Sequence, residues 1–540
     1  MVGYSMKPFD GKHKRQHLQF VSPHIDFVVG VLERQEPVDF GAFLAPELGL
    51  NCVDTPCTEV GSLGIALEHR QRVASHNRPW RIADRHARGF RASLKELYAT
   101  MSVIAKDLHP EKPDWRQRYM KYDGAKREHY RRCALEQEAN PIGPRRGPGK
   151  IDIFHEGAVK WGEISARPRA LLVQSVRAKG CDEVKPGTVL RSPIMIEGGY
   201  RDPFEDALHK YTHRRGFHFV ASGMDLHRRG REIRKMIEPG DMVLSCDWTS
   251  FDGSLGWLAV WEREEFLHQC ERVWGRDDAL RRVIESQNDC KIQAGPLKGR
   301  IFGNRGSGTA GTSTGNKMVV LAALRYALGP AMRGAGGVKL FCDGDDTLII
   351  VPRRYQPTAE KDWVRSWVRR LSELGLETKV EQQIFDSPAA PACDHVRFCR
   401  AGVVDTSRGP FLCKKPLDAL KVMTNIRRHF RGPRFMDYLQ TLSVGCGDVY
   451  GDVPVLCALT DMFDVGGRKS QDLLDGAGME YMISRHKSGK AGLIENNHRV
   501  SFFATWGVPP DDQIRCENAL RAFGRELREL VRRPFCEAPK

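Results

Sequence analysis

Three aspartates stand within four residues in the segment VKLFCDGDDTLIIV, residues 338–351. Carboxylates this close repel one another unless a cation lies between them, and a hard divalent ion such as Mg²⁺ prefers oxygen ligands. Apolar residues alternate before Asp343 and resume after Asp346, which predicts a strand, a tight turn and a second strand. Because Asp and Gly are also ordinary turn residues, the segment alone leaves a metal site and a solvated turn equally open.

Another pair of aspartates, Asp247 and Asp252, follows the short apolar run Met242–Leu244. The pattern there predicts a strand that runs into a helix. The next segment, WLAVWEREEFLHQCERVW at 257–274, has apolar residues at helical spacing and predicts a packed helix. The alternative, that Asp252 only caps the following helix, is the weaker interpretation once the other motifs of the chain are considered.

The chain is long and basic. Its 540 residues predict three or four packed units, at a soft prior of about 150 residues per domain. A formal charge of +16 amid normal apolar content argues against disorder and favours a polyanionic partner, nucleic acid before a membrane surface. For the basic stretch HRRGREIRK at 227–235, the alternative to such a partner is a solvated face.

Cysteine usage and hydropathy indicate the cellular compartment and the mode of membrane association. The 15 cysteines include no C-x-x-C pair, which argues against a zinc site and against a disulfide framework, and indicates a reducing, cytosolic setting. No apolar run approaches the roughly 18 residues needed to cross a bilayer, so we expect any membrane association to be peripheral.

Several further elements can be read along the chain. The segment NPIGPRRGPGK at 140–150 predicts a linker, and the β-like runs KIDIFHEG and RALLVQSV follow it. DWVRSWVRRLSELG predicts an amphipathic helix closed by Gly375, and LETKVEQQIF then predicts a strand. From about residue 415 onward the pattern is mainly helical.

Three familiar motifs are excluded. GSGTAG at 306–311 matches a dinucleotide-binding pattern, but no acidic residue stands about 20 positions further on to hold a ribose. The same stretch has Thr312 where a phosphate-binding loop requires lysine. The aspartate hairpin is not an EF-hand, because Arg354 occupies the position of the bidentate glutamate.

Three segments in chain order carry a stronger interpretation. They are D-x₄-D at 247 and 252, RGSGTAGTSTGN at 305–316 and G-D-D at 344–346. Together they resemble motifs A, B and C of the RNA-dependent RNA polymerases of positive-strand RNA viruses, and the motif B pattern is typical of tombusvirus-like and flavivirus-like enzymes. Further segments are similar to motifs F, D and E, namely ARPRALLVQSVRA at 166–178, GLETKVE at 375–381 and RFCR at 397–400.

The resemblance departs from the family pattern at two places. Thr309 stands where many tombusvirus-like chains have an aspartate after Ser-Gly, and the stretch 181–201 is longer than the usual spacing between motifs F and A. These departures put the subfamily in question rather than the activity.

The resemblance implies an α+β fold, a closed right hand with fingers, a palm built on an antiparallel sheet flanked by helices, and a mainly helical thumb. The implied domains are an N-terminal basic extension with fingers elements at 1–150, fingers with motif F at 151–240, palm motif A at 241–260, a fingers insertion at 261–304, palm motifs B to E at 305–414 and the thumb at 415–540.

The resemblance also assigns site residues by position. The catalytic metal ligands would be Asp247, Asp345 and, as a less essential helper, Asp346, binding Mg²⁺ with Mn²⁺ as a substitute; Asp343 would be a turn residue. The remaining roles would be recognition of the NTP ribose by Asp252, Ser307, Thr312 and Asn316, contact with the triphosphate by Arg167, Arg169 and Arg177, a candidate general acid at Lys379, and a primer grip formed by Phe398, Cys399 and Arg400. Lys379 is equally well explained as a solvated strand residue.

The implied function is replication of a viral RNA genome by template-directed transfer of nucleotides from NTPs to an RNA 3′ end. The implied partners are template and product RNA, NTPs, and other viral or host replication proteins, at replication complexes in the host cytoplasm. A reverse transcriptase is the first alternative, but that family has Tyr or Phe two residues before the aspartate pair, where this chain has Asp343. A non-enzymatic RNA-binding or coat-like protein would explain the charge alone.

Overall fold

The computed structural model describes a large part of the 540-residue chain. The longer described segments are 82–121, 194–215, 218–249, 251–294, 297–303, 309–329, 337–353, 360–387, 391–423, 433–470 and 491–532. Single residues and short pieces are described at 16–17, 27–28, 31–32, 127–128, 130–132, 134–135, 165–167, 187–189, 305, 356 and 425–426. The predicted linker and the two β-like runs after it, at 150–157 and 169–176, lie outside the described residues.

Helices dominate the described segments. They are α1 (Asp84–Leu108), α2 (Ile194–Arg215), α3 (Leu226–Met236), α4 (Phe251–Ser254), α5 (Trp257–Trp274), α6 (Asp278–Ser286), α7 (Gly311–Leu328), α8 (Glu360–Glu373), α9 (Ala392–His395), α10 (Pro416–Met423), α11 (Pro433–Tyr450), α12 (Ala458–Phe463), α13 (Asn496–Trp506) and α14 (Pro510–Arg532). A 3₁₀ helix at Trp115–Lys121 follows α1. The helical character predicted from about residue 415 onward is confirmed in α10 to α14.

The strands form one large sheet and several two-stranded ones. They are β1 (Gln16–His17), β2 (Ser165–Arg167), β3 (Gly187–Val189), β4 (His218–Val220), β5 (Met242–Trp248), β6 (Asp289–Ala294), β7 (Leu297–Phe302), β8 (Lys339–Asp343), β9 (Asp346–Val351), β10 (Thr378–Phe385), β11 (Ala401–Val404), β12 (Phe411–Lys414) and β13 (Asn425–Ile426). The antiparallel pairs β1–β13, β2–β3, β6–β7 and β11–β12 stand apart from the large sheet.

The large sheet has the strand order β10-β5-β9-β8-β4. Neighbouring strands from β10 to β8 are antiparallel, as expected for the palm. The edge strand β4 departs from that expectation, because it pairs with β8 in parallel, His218 opposite Leu340. β4 follows a helix rather than a hairpin turn, so no local signal in the sequence fixes its direction relative to β8.

The large sheet is buried on both faces. Side chains alternate along a strand, and on β5 Leu244 packs into a core shared with α1, α2, α5 and α7, whereas Val243 packs into a core shared with α3, β11 and β12. On β8, Leu340 and Phe341 divide between the same two cores. Cover on both faces holds the strands rigid, and the ends of β5, β8 and β9 therefore form a fixed platform.

A third core lies among the C-terminal helices. It combines side chains of α11, α12, α13 and α14 with Val404 of β11 and Phe411 of β12. The β11–β12 hairpin thus contributes to two cores, and it connects the large sheet to the C-terminal helices.

Four elements predicted from residue patterns are confirmed. The aspartate hairpin is β8–β9, the packed helix is α5, and the predicted strand after Gly375 is β10. The amphipathic helix is α8, and Gly375 stands just after it with φ +82°.

The interpretation of residues 227–235 as a solvated face is wrong for part of the stretch. These residues form α3, whose first turn is capped by the Asp225 carboxylate accepting from the Arg228 backbone N–H at 2.7 Å. One face of α3 packs inward and buries Ile233 and the guanidinium-bearing Arg229. A basic sequence run therefore conceals an amphipathic helix.

Candidate active site

The β8–β9 hairpin closes through a two-residue turn, Gly344 and Asp345, between the register partners Asp343 and Asp346. Gly344 has φ +74°, and a positive φ at the first position of a two-residue turn is the type II′ geometry that favours glycine. The turn leaves Asp345 exposed at its tip, with Asp343 and Asp346 half-buried beside it.

Strand β5 brings Asp247 to the same end of the sheet. Cys246 is the register partner of Thr347 of β9, and the next residue along each strand toward the hairpin turn is Asp247 on one and Asp346 on the other. On the far side of β5, the register partner of Asp247 is Lys379 of β10. Asp247 and Lys379 both have exposed side chains, and both lie at the edge of the platform.

The charges at this edge influence one another. The pKa of Asp345 is raised to about 6 although its side chain reaches solvent at the tip of the turn. Surrounding protein removes part of the water from the carboxyl, and Asp346, Asp252 and Asp247 are nearby anions. Burial also raises the pKa of Asp346, with further contributions from Asp247 and Asp343. Four carboxylates of motifs A and C therefore share one electrostatic environment.

This environment suits a hard divalent cation in its donor chemistry, because every donor is a carboxylate oxygen and the pKa values of Asp345 and Asp346 are raised by dehydration and by neighbouring anions. Among the described residues no three His, Cys, Asp or Glu side chains form a ready-made metal cage. Mg²⁺ commonly takes one or two carboxylates and completes its octahedron with water and phosphate oxygens. The residues present fit such an open site.

Asp252 and Asn316 meet although 64 residues separate them in the sequence. The Asn316 side-chain amide N–H donates to Asp252 Oδ1 at 2.7 Å, which joins α4 to the first turns of α7. Thr312 lies one turn earlier on α7, and its hydroxyl is 3.1 Å from that of Thr309. Ser307 lies outside the described residues.

The segment expected to be the primer grip forms a tight turn next to Asp346. Phe398 and Ala401 exchange backbone hydrogen bonds of 2.9 Å, and the two residues between them, Cys399 and Arg400, have φ values of 53° and 57°. The Cys399 thiol donates a hydrogen bond to the Asp346 carboxyl, and Arg400 is a nearby cation; both lower the pKa of Asp346 against the effect of burial. Left-handed backbone at two non-glycine residues is uncommon and concentrates at functional sites.

The basic segment expected to contact the triphosphate is described only in part. Arg167 ends β2, where its backbone pairs with Gly187 of β3, and its side chain is outside the description. Arg169 and Arg177 lie outside the described residues.

Behind the Asp252–Asn316 pair lies a buried ionic cluster that the sequence did not reveal. Arg305 donates from Nε to Asn316 Oδ1 at 3.1 Å and from Nη2 to Glu262 Oε2 at 2.6 Å. Glu262 in turn accepts from Arg201 and from the Tyr98 hydroxyl. Burial alone would raise the pKa of Glu262, but Arg201 and Arg305 lower it to about 2, so the cluster is ionised.

The two glycines of α7 make room for this cluster. A Cβ at Gly311 would stand 2.6 Å from an oxygen of Glu197, which hydrogen-bonds Arg201, and a Cβ at Gly315 would stand 2.6 Å from Arg305 Nη2. Any larger residue would displace groups that are themselves fully buried. Close packing against the buried ionic cluster therefore explains why positions 311 and 315 are glycines.

A weak signal for the cluster was present in the sequence. Glu262 and Arg263 interrupt the apolar pattern of α5 at positions that the helical period places inside, and both side chains are buried. Arg305 begins motif B and is 0% exposed. Charged residues at inward positions imply buried ionic partners, but the sequence does not say which residues those partners are.

The family is established by comparison with known proteins. A sequence model described as viral RNA dependent RNA polymerase matches residues 206–527, which is more than half of the chain. The chain belongs to this family. The matched range contains α4, α7, the β8–β9 turn and the 398–401 turn, whereas the motif F arginines and the cluster residues Tyr98, Glu197 and Arg201 precede it.

Curated relatives agree with this result and confirm the resemblance found in the motifs. The RNA-directed RNA polymerase of Pothos latent virus is 27% identical over 265 residues, 47% of this chain and 33% of that protein. Those of Oat chlorotic stunt virus and Carnation mottle virus are each 22% identical, covering 62% and 52% of this chain and 46% and 36% of those proteins. The matches thus span less than half the length of each relative.

No helix in the described segments is long and apolar enough to span a membrane.

Proposed function

We propose that this chain is a template-directed RNA polymerase that transfers nucleotides from NTPs to the 3′ end of a growing RNA. The observation that carries the proposal is the convergence of Asp247, Asp345 and Asp346 at one end of a rigid sheet, with the hydrogen-bonded pair Asp252 and Asn316 beside them. Membership of a family of viral polymerases supports it independently.

Asp247 and Asp345 would hold the divalent cations of this reaction, with Asp346 as a less essential helper. When bound, Mg²⁺, or Mn²⁺ in its place, would activate the RNA 3′-hydroxyl and neutralise the triphosphate. The exposed tip position of Asp345 supports this role, because it leaves the carboxylate open to a metal and to substrate oxygens. The hydrogen bond from Cys399 to Asp346 supports the helper role, since it already occupies part of that carboxylate.

The bond that forms joins the 3′-oxygen of the RNA to the α-phosphorus of the NTP. The bond between the α-phosphorus and the oxygen that bridges it to the β-phosphorus breaks, pyrophosphate leaves, and the proton of the 3′-hydroxyl passes to solvent. Lys379 is the candidate general acid that donates a proton to the pyrophosphate. Its exposed side chain and its register position opposite Asp247 support that role.

The ribose is read by Asp252 and Asn316 together with Ser307 and Thr312. A 2′-hydroxyl both donates and accepts hydrogen bonds, so a carboxylate and an amide can satisfy it where a deoxyribose leaves them unpaired. The triphosphate is contacted by basic residues of motif F, namely Arg167, Arg169 and Arg177. The primer end rests on the Phe398, Cys399 and Arg400 turn, whose contact with Asp346 supports a position next to the reacting 3′ end.

The large-scale arrangement follows from these roles. The five-stranded sheet, with its edge strand β4, is the palm, and the helices at 415–540 are the thumb. The other elements before residue 241 and those at 261–304 are fingers that close the hand. A net charge of +16 suits a protein that encloses template, product and NTP, because each is a polyanion. We place this activity in replication complexes of the host cytoplasm, with other viral or host replication proteins as further partners.

Incorporation of labelled NTPs by the purified full chain tests the proposal. With Mg²⁺ and a primed RNA template we expect robust extension, and the same reaction without primer establishes the initiation mode. Asp345→Asn should lower incorporation by about three orders of magnitude, because it removes a metal ligand, and Asp346→Asn should lower it less.

The matched control is Asp511→Asn, which changes an exposed aspartate at the start of α14 and should leave incorporation unchanged. The proposal fails if Asp345→Asn keeps the rate of the control variant, or if the unaltered chain extends no RNA under any metal condition.

A further inference from the structure

The Asp252–Asn316 pair depends on a group that touches neither the substrate nor the metal. An amide side chain can present either its oxygen or its nitrogen to a neighbour. Were the oxygen of Asn316 to face Asp252, two acceptors would oppose each other. The contact of 2.7 Å therefore requires that something else bind the oxygen and hold the nitrogen toward the carboxylate.

Arg305 meets that requirement. Its Nε donates to Asn316 Oδ1 at 3.1 Å, and its backbone N–H donates to the Asp252 carbonyl oxygen at 3.3 Å. Arg305 thus contacts both partners: its side chain binds Asn316 on α7, and its backbone N–H binds Asp252 on α4. Arg305 is 0% exposed, so bulk solvent does not reach it.

The Arg305 guanidinium is itself fixed by a second contact, with a buried carboxylate. Its Nη2 donates to Glu262 Oε2 at 2.6 Å, and Glu262, on α5, also accepts from Arg201 and from the Tyr98 hydroxyl. The absence of a Cβ at Gly315 lets the guanidinium lie directly against α7. The ionic cluster therefore connects the ribose-reading pair to α2 and α5, the helices that pack on the sheet.

We infer that Arg305 is the positioning residue that orients Asn316 toward Asp252 and so sets the discrimination between ribonucleotides and deoxyribonucleotides. This inference rests on the proposed polymerase function. Without the Nε donor, the Asn316 amide is free to turn, and the pair no longer presents a fixed donor and acceptor to a 2′-hydroxyl. Chemistry at Asp247 and Asp345 does not require the pair, so discrimination should suffer more than rate.

Arg305→Lys is the first test, because lysine keeps the charge beside Glu262 but offers a single nitrogen that cannot serve both Glu262 and Asn316. The measurement is kcat/KM for ATP and for dATP on one primed template. We expect the ATP-to-dATP ratio to fall by about tenfold or more, the effect of one lost hydrogen bond in a buried site, with the loss concentrated in the KM for ATP.

Two further variants complete the design. The double variant Arg305→Met with Glu262→Gln removes one cation and one anion, so the cluster stays balanced, and it should reproduce the lost discrimination if Arg305→Lys does not fold. Arg408→Lys is the matched control, since Arg408, in the turn between β11 and β12, also has a largely buried side chain bound to a carboxylate, that of Asp452. It should keep the ratio of the unaltered chain.

Each outcome is decisive. If the unaltered chain extends RNA and a folded Arg305 variant keeps its ATP-to-dATP ratio within about twofold, the inference is overturned. Equal loss of activity on both nucleotides in a folded variant also overturns it, because the residue would then support the chemistry itself. If the unaltered chain extends no RNA, the proposed function fails instead, and the two failures are distinguished.

Discussion

The Arg229 guanidinium donates to Asp343 Oδ2 at 2.7 Å and thereby ties α3 to the first aspartate of the β8–β9 hairpin. The two side chains are 10% and 26% exposed, so the ion pair is largely withdrawn from solvent. Asp343 is more than the turn residue that the sequence predicts. It is the only aspartate of the Asp343, Asp345 and Asp346 group for which the described residues provide a direct salt bridge.

Replacing Arg229 should therefore loosen the hairpin. Arg229→Met leaves Asp343 as an uncompensated anion, and we expect the free energy of unfolding to fall by about 1.5–3 kcal/mol, the usual contribution of a charged hydrogen bond. Urea denaturation of the full chain measures the change. Arg231→Met on the same helix is the control, because Arg231 is exposed and surface changes usually stay within about 0.5 kcal/mol.

A double-mutant cycle with Asp343→Asn completes this test. If the ion pair is the cause, the two single changes are less than additive, and the coupling energy is positive. Additive effects, or an Arg231→Met variant as unstable as Arg229→Met, would show that the contact contributes nothing specific.

The raised pKa of Asp345 predicts an unusual effect of Asp345→Asn on stability. The carboxyl titrates at about 6 when folded but near 3.9 when unfolded, so the folded state binds the proton more tightly. Stability of the metal-free chain is then lost as the pH rises through this window. Asparagine carries no charge, so the variant should melt at a higher temperature than the unaltered chain at pH 8, with a smaller difference at pH 5.

Thermal melting in EDTA at both pH values provides the measurement, with Asp511→Asn as the control for an exposed carboxylate. A variant that melts lower than the unaltered chain at pH 8, or a gain that is the same at both pH values, would contradict the repulsion among these carboxylates.

The glycine pattern of α7 makes a prediction about packing. Gly315→Ala would place a methyl group 2.6 Å from Arg305 Nη2, whereas Gly447→Ala on α11 meets nothing closer than Thr460 at 3.5 Å. We expect Gly315→Ala to cost about 1–3 kcal/mol through overpacking and Gly447→Ala to be neutral or stabilising by up to about 1 kcal/mol. Chemical denaturation measures the free energy of unfolding of both variants. Equal effects would show that the buried ionic cluster accommodates the methyl group without loss of stability.

Local sequence patterns predicted the helices and strands that the periodicity of their own residues determines. The alternation around Asp343 and Asp346 predicted the β8–β9 hairpin, and helical periodicity predicted α5 and α8, because each pattern reports the period of one element. Motif resemblance singled out Asp252 and Asn316 as members of one site. Periodicity carries no such information, since their contact joins parts of the chain 64 residues apart.

The features that local patterns did not predict depend on tertiary packing. The parallel pairing of β4 with β8 and the ion pair of Arg229 with Asp343 arise between distant segments. The sequence shows that Arg229 and Glu262 are charged, but only the assembled fold shows that both are buried and which groups neutralise them. Buried ions are rare enough that a basic run is first interpreted as surface, and here that interpretation failed.

Sequencing of the RNA product tests the central claim most directly. The purified chain would be given Mg²⁺, four NTPs and, in separate reactions, two RNA templates of equal length and unrelated sequence. The account predicts products complementary to each template, and none from Asp345→Asn, while Asp511→Asn yields the same products as the unaltered chain. Products whose sequence does not follow the template, or complementary products made equally well by Asp345→Asn, would contradict the claim that Asp345 belongs to the active site of a template-directed RNA polymerase.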